Sequence, residues 1–152
     1  MKAVAKTIAA ATLLISGSAV AGVIAPGNVQ FVEATVPVSL TGAAGDPAKG
    51  REWFANRKLG NCLACHANDD LSKEQFHGEI GPYLDGVGDT YTPAELRAII
   101  VNSKEVFGEA TIMPAFYKSE GLNRVAKKFA GKTILSAEQV EDIVAYLVTL
   151  KE

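Results

Sequence analysis

Apolar residues recur at helical spacing most clearly near the end of the chain. There Val140, Ile143, Val144, Leu147 and Leu150 form one stripe, with Tyr146 on its flank. Ser136-Ala137-Glu138-Gln139 precedes the stripe as a capping box, which predicts a helix from that point to Leu150. Thr92-Pro93-Ala94-Glu95 is a second capping box with proline at the first helical position. It opens a helix from Pro93 to about Ser103, whose Leu96, Ile99 and Ile100 share a face. A third helix begins at Asp46-Pro47, where Asp46 caps and Pro47 lacks an N–H that would be unpaired anyway. It runs to about Lys58 with Trp53 and Phe54 as bulky anchors. Gly50 inside it costs about 1 kcal/mol against Ala, so its place four residues before Phe54 predicts close approach of another helix. Leu122 to Phe129 is a weaker, basic stretch ended by Gly131. The remainder, chiefly 67–91 and 104–120, reads as loop, and no strand ladder or internal repeat is evident.

The N-terminal end has a different grammar. Lys2 and Lys6 precede a short apolar run, Ile8 to Ile15, and Ala19-Val20-Ala21 is a small-x-small cleavage pattern. The run is shorter than the ~20 residues a membrane span needs. Residues 1–21 are therefore read as a signal peptide cleaved after Ala21, with export to the periplasm, and no later segment predicts membrane insertion. Residues 22–45 form an arm rich in Gly, Pro and small residues around Phe31 to Leu40, whose β-branched residues favour extension while Pro37 excludes a central strand. The arm has no obvious partner within the chain, which leaves a disordered tail or a segment ordered on another surface. Residues 46–152 form the compact domain.

Composition narrows the class. The chain has 152 residues, 48% hydrophobic and 21% charged, which is one domain's worth and excludes a disordered or collagen-like polymer. Its formal charge is -2, and losing Lys2 and Lys6 leaves 13 basic against 17 acidic residues, so no basic face for nucleic acid is expected. The carboxylates Asp69 with Asp70 and Glu141 with Asp142 read as solvated or helix-end charges, and Lys127-Lys128 as a wet face. Few helices and long loops leave too little apolar surface to organise the interior. Something other than helix packing must fill the centre.

Cys62-Leu63-Ala64-Cys65-His66, which holds the chain's two cysteines, supplies that filler. C-x-x-C-H is the attachment signature of c-type haem. Two thiols three positions apart reach the two vinyl groups on one porphyrin edge, and the next residue sets an imidazole beneath the iron. A thioredoxin-like site would need a preceding strand in a βαβ context, and a structural zinc site would need further ligands pressed from Asp69, Asp70 and His77. The Gly81-Pro82 turn offers a carbonyl to the Nδ1–H of His66 and so fixes its tautomer.

For the sixth iron position, Met113 is the one methionine left after processing, stiffened by Pro114 and forty-seven residues beyond His66. His77, eleven residues from His66, and a lysine are the alternatives. A His66/Met113 pair raises the reduction potential and fills both axial positions, which makes electron transfer the expected role. Trp53, Phe54, Tyr83, Tyr91, Phe107 and Phe116 are candidate surroundings for the ring.

The order of these landmarks resembles the class I monohaem cytochromes c, all-α, with long haem-wrapping loops. More specifically, the blocks Asn61 to His66, Gly78 to Leu84 with Gly86-Val87-Gly88, Ala110 to Tyr117 and Ile134 to Leu147 resemble the SoxX subunits of SoxAX sulfur-oxidation cytochrome complexes. That resemblance implies one covalent haem c and a SoxA partner carrying the catalytic cysteine. It also implies a SoxYZ carrier on whose cysteine thiosulfate is coupled, and a downstream electron acceptor that is another cytochrome. It places the arm against SoxA and gives this chain an electron-accepting role with no catalytic residue. A free periplasmic shuttle and a non-redox, haem-stabilised binding subunit remain as other readings.

Overall fold

The computed structural model describes residues 22–152. The segment expected to be a signal peptide, with its expected cleavage after Ala21, lies outside them. Four α-helices carry the fold: α1 (Pro47–Ala55), α2 (Val87–Thr90), α3 (Pro93–Phe107) and α4 (Ala137–Leu147). Short 3-10 turns at Pro26–Asn28, Cys62–Ala64, Asp69–Leu71 and Lys127–Phe129 punctuate the loops. Among the described residues the only extended pairing is the isolated bridge between Val32 and Thr35. The architecture among the described residues is all-α with long loops, as the resemblance to class I cytochromes c implies.

Each long helix starts where the local chemistry predicts. Asp46 accepts from the backbone N–H groups of Ala48 and Lys49, while Thr92 with Glu95 and Ser136 with Gln139 close reciprocal capping boxes. Their ends differ from expectation. α1 stops at Ala55 because Asn56 turns extended and its carbonyl accepts from Leu59 and Asn61 instead. α3 continues to Phe107 across a non-helical residue, Asn102. Leu122 to Phe129 yields just one exposed turn, Lys127–Phe129.

α1 crosses α4 at Gly50, where an added Cβ would lie 1.9 Å from the carbonyl oxygen of Asp142. Only glycine permits that approach. Phe54 then meets Tyr146 edge-on, with ring centroids 5.7 Å apart. Asp142 anchors the crossing by accepting from the Asp46 N–H at 2.7 Å and the Trp53 indole N–H at 3.2 Å.

The arm finds its surface within this chain. Val36 and Leu40 are buried, at 2% and 0% exposure, among the core residues. Behind them Arg97 of α3 makes a bidentate pair with Glu141 of α4, at 2.7 and 2.9 Å, and donates to the Val36 carbonyl. Glu141 also accepts from the Leu40 N–H at 2.8 Å. Glu141 is thus a buried, paired charge rather than a solvated one. The pairing partner lies 44 residues away and is invisible to local pattern. Further ties run from Val36 N–H to the Ala94 carbonyl and from the Tyr117 hydroxyl to the Ile24 carbonyl.

Candidate haem-binding site

Asn61 adopts a left-handed conformation (φ 51°, ψ 47°) that turns the chain sharply into Cys62–Ala64. The amides of Cys65 and His66 both donate to the Cys62 carbonyl, at 3.1 and 3.0 Å, while Leu63 is buried beneath as an anchor. This tight turn sends Cys62, Cys65 and His66 to one cavity. The following loop is laced alongside: Gly78 N–H donates to Leu63, Gly81 N–H to Cys65 and Leu84 N–H to Ala67.

The lacing brings the Pro82 carbonyl to 2.7 Å from His66 Nδ1. Nδ1 is the donor in that contact, so Nε2 keeps its lone pair free for a metal. Gly81 is required there, because a Cβ would sit 2.4 Å from the imidazole Cε1.

The cavity has a volume of about 570 Å³, within the ~300–1,000 Å³ usual for cofactor sites. Met113, Pro114 and Phe116 line it from the loop after α3, and Leu96, Ile99 and Ile100 from α3 itself. Of the aromatics named from sequence, Phe54, Tyr83, Tyr91, Phe107 and Phe116 line it. Trp53 does not, since its indole turns to Asp142. The aliphatic lining, to which Ile143 and Leu147 of α4 also belong, is not among the residues expected from sequence to surround the ring. The signal was present in the helical stripes, which face the cavity as well as neighbouring helices.

A large, flat apolar group fits this lining. The donor set fits too: two thiols, an imidazole with its tautomer fixed, and a thioether share one cavity. Burial pushes the Cys62 thiol up to about 12. A reactive C-x-x-C pair has the opposite tendency, and no strand precedes this one among the described residues.

The other ligand candidates are engaged elsewhere. His77 Nε2 lies 3.0 Å from the Leu71 carbonyl and outside the cavity lining. Among the described residues, no three His, Cys, Asp or Glu side chains are grouped to hold a metal ion by themselves.

The cytochrome c family model matches residues 47–151. The chain belongs to the cytochrome c family. As such it is similar to a chain in the crystal structure of SoxXA from P. pantotrophus, with 49% identity and a TM-score of 0.78. That match covers 84% of this chain and 98% of the other, and agrees with the resemblance to SoxX. No curated protein matched this cytochrome c. No helix among its described residues is long and apolar enough to cross a membrane.

Proposed function

We propose that this cytochrome c is the haem-bearing, electron-accepting subunit of a SoxAX-type complex in the periplasm. The complex, an L-cysteine S-thiosulfotransferase, couples thiosulfate oxidatively to a cysteine of the SoxYZ carrier. The observation that carries the reading is the meeting of Cys62, Cys65, His66 and Met113 in one apolar cavity of a chain 49% identical to a SoxXA chain.

When bound, haem c supplies one-electron ferrous–ferric chemistry. The chain's residues do the rest. Cys62 and Cys65 would hold the haem through thioether links, and His66, its ring oriented by the Pro82 carbonyl, would offer Nε2 to the iron. Met113, which lines the same cavity, would be the second protein donor to the iron, a soft neutral thioether that raises the potential. The apolar lining disfavours the added positive charge of ferric iron in the same direction. No acid–base pair is needed for electron transfer. Both cysteines of this chain would be consumed by haem attachment, so this chain has no thiol left to carry the thiosulfate adduct.

Ile80, Tyr83, Phe107 and Ile112 line the cavity yet are more than half exposed, which supports a partner-covered mouth over a freely diffusing shuttle. The test is native purification from periplasm with intact-mass analysis. It should give a chain beginning at Gly22 with one covalent haem, co-purifying with a second haem subunit, whose haem in this chain is reduced on adding thiosulfate and SoxYZ. A haem-loaded monomer that thiosulfate and the carrier never reduce would overturn it.

A further inference from the structure

We propose that the interruption of α3 at Asn102 is the device that presents Met113 to the cavity, with Ser103 and Lys104 as positioning residues for it. This rests on the reading of Met113 as an iron ligand. α3 is two helices joined at Asn102, whose φ of -154° and ψ of 93° are extended. Asn102 acts as an internal N-cap: its Oδ1 accepts from the Lys104 N–H at 3.3 Å, the second position of the new segment.

In a continuous helix the carbonyls of Ile100 and Val101 would take the amides of Lys104 and Glu105. Here they accept from Phe116 at 3.1 Å and Tyr117 at 3.2 Å. The break therefore supplies the two acceptors that fasten the chain just beyond Met113-Pro114.

The same break starts a turn that fastens Met113 itself. Ser103, fully buried, donates its hydroxyl to the Met113 carbonyl at 2.6 Å. The Lys104 ammonium donates to that carbonyl at 2.7 Å and to the Thr111 carbonyl at 2.6 Å. Lys104 has no carboxylate partner among the described residues. Its donors are spent on backbone. Pro114 fixes φ in between. Met113 is thus clamped on both sides by one helix end, which leaves its thioether little freedom except side-chain rotation.

The experiment uses the holoprotein in wild-type form and as Ser103→Ala, Lys104→Leu and the double variant, with Ser103→Thr and Lys104→Arg as rescues. Intact mass and far-ultraviolet circular dichroism report haem attachment and fold. The thioether-to-ferric charge-transfer band and a titration with imidazole report the distal ligand. Expected are retained haem and helix content, a weakened band in the double variant, and imidazole affinity raised about tenfold, which corresponds to ~1.4 kcal/mol. The rescues should restore the wild-type band. Unchanged band and imidazole affinity in the double variant would overturn the proposal, as would equal behaviour of Lys104→Leu and Lys104→Arg if the double variant fails to fold. A wild-type protein lacking the band would instead overturn the assignment of Met113 as ligand, and this inference with it.

Discussion

The cavity has two walls built on different principles. The cysteine wall is local: Cys65 and His66 fold back on the Cys62 carbonyl, and the whole turn occupies a few consecutive residues. The methionine wall is held from a distance, with Phe116 and Tyr117 on Ile100 and Val101, and Met113 on Ser103 and Lys104. A local turn persists if its surroundings loosen, whereas a loop held by tertiary bonds moves with the helix that holds it. The attachment wall is therefore expected to be robust and the distal-ligand wall adjustable.

The largest effect should come from removing the cysteine wall's chemistry. Cys62→Ala with Cys65→Ala should give a chain without covalent haem mass and without a cooperative unfolding transition in circular dichroism. Without the haem, the cavity's apolar lining loses the group it would pack against. Met113→Ala, by contrast, should keep the haem mass and the fold while lowering the reduction potential in a spectroelectrochemical titration.

Next is the buried pair behind both walls. Glu141→Ala strands the Arg97 guanidinium and the Leu40 N–H in the interior. A loss of about 3–5 kcal/mol in chemical denaturation is expected, from the cost of an uncompensated buried charge.

A smaller effect should follow Gly81→Ala, whose new Cβ would press on the His66 ring from 2.4 Å. The expected cost is about 1–3 kcal/mol, with altered proximal-histidine resonances in the NMR spectrum as the ring leaves Pro82.

The smallest concerns Asp70. Burial raises its carboxyl, but hydrogen bonds from Tyr146 and Arg51, with the Arg51 charge, outweigh that and hold it below the usual range. A group depressed in the folded state stabilises above the unfolded carboxylate value, ~3.9, and that stability fades as pH falls through the lower folded value. Its pair with Arg51 is half exposed, so Asp70→Asn should cost less than about 1 kcal/mol at neutral pH. The difference from wild type should vanish in strongly acidic denaturation curves.

The two walls were not equally legible in the sequence. Helix starts at Asp46, Thr92 and Ser136 depend on groups within three residues, so their capping chemistry is written locally. The same is true of Cys62 to His66. Gly50 also betrayed a close contact, because an unfavourable helical residue needs a nearby cause. What pattern could not show were long-range pairings: Leu40 with Glu141, Arg97 with Glu141, and the arm's burial against its own domain. Asn102 looked like an ordinary helical position because its break is compensated by Phe116 and Tyr117 from a later loop. The cavity's aliphatic lining was hidden in the helical stripes, whose spacing does not distinguish a face turned to a cavity from one turned to another helix.

Ligation at the distal position is the claim on which the redox account turns, and proton NMR of the reduced holoprotein addresses it directly. Met1 and Met113 are the two methionines of the chain, and in the proposed mature form Met113 is the one source of a methionine methyl signal. A methyl held over the iron by the ring should resonate far upfield of its ordinary position and disappear in Met113→Ala. A methyl signal at its ordinary position in the correctly loaded protein would contradict the account.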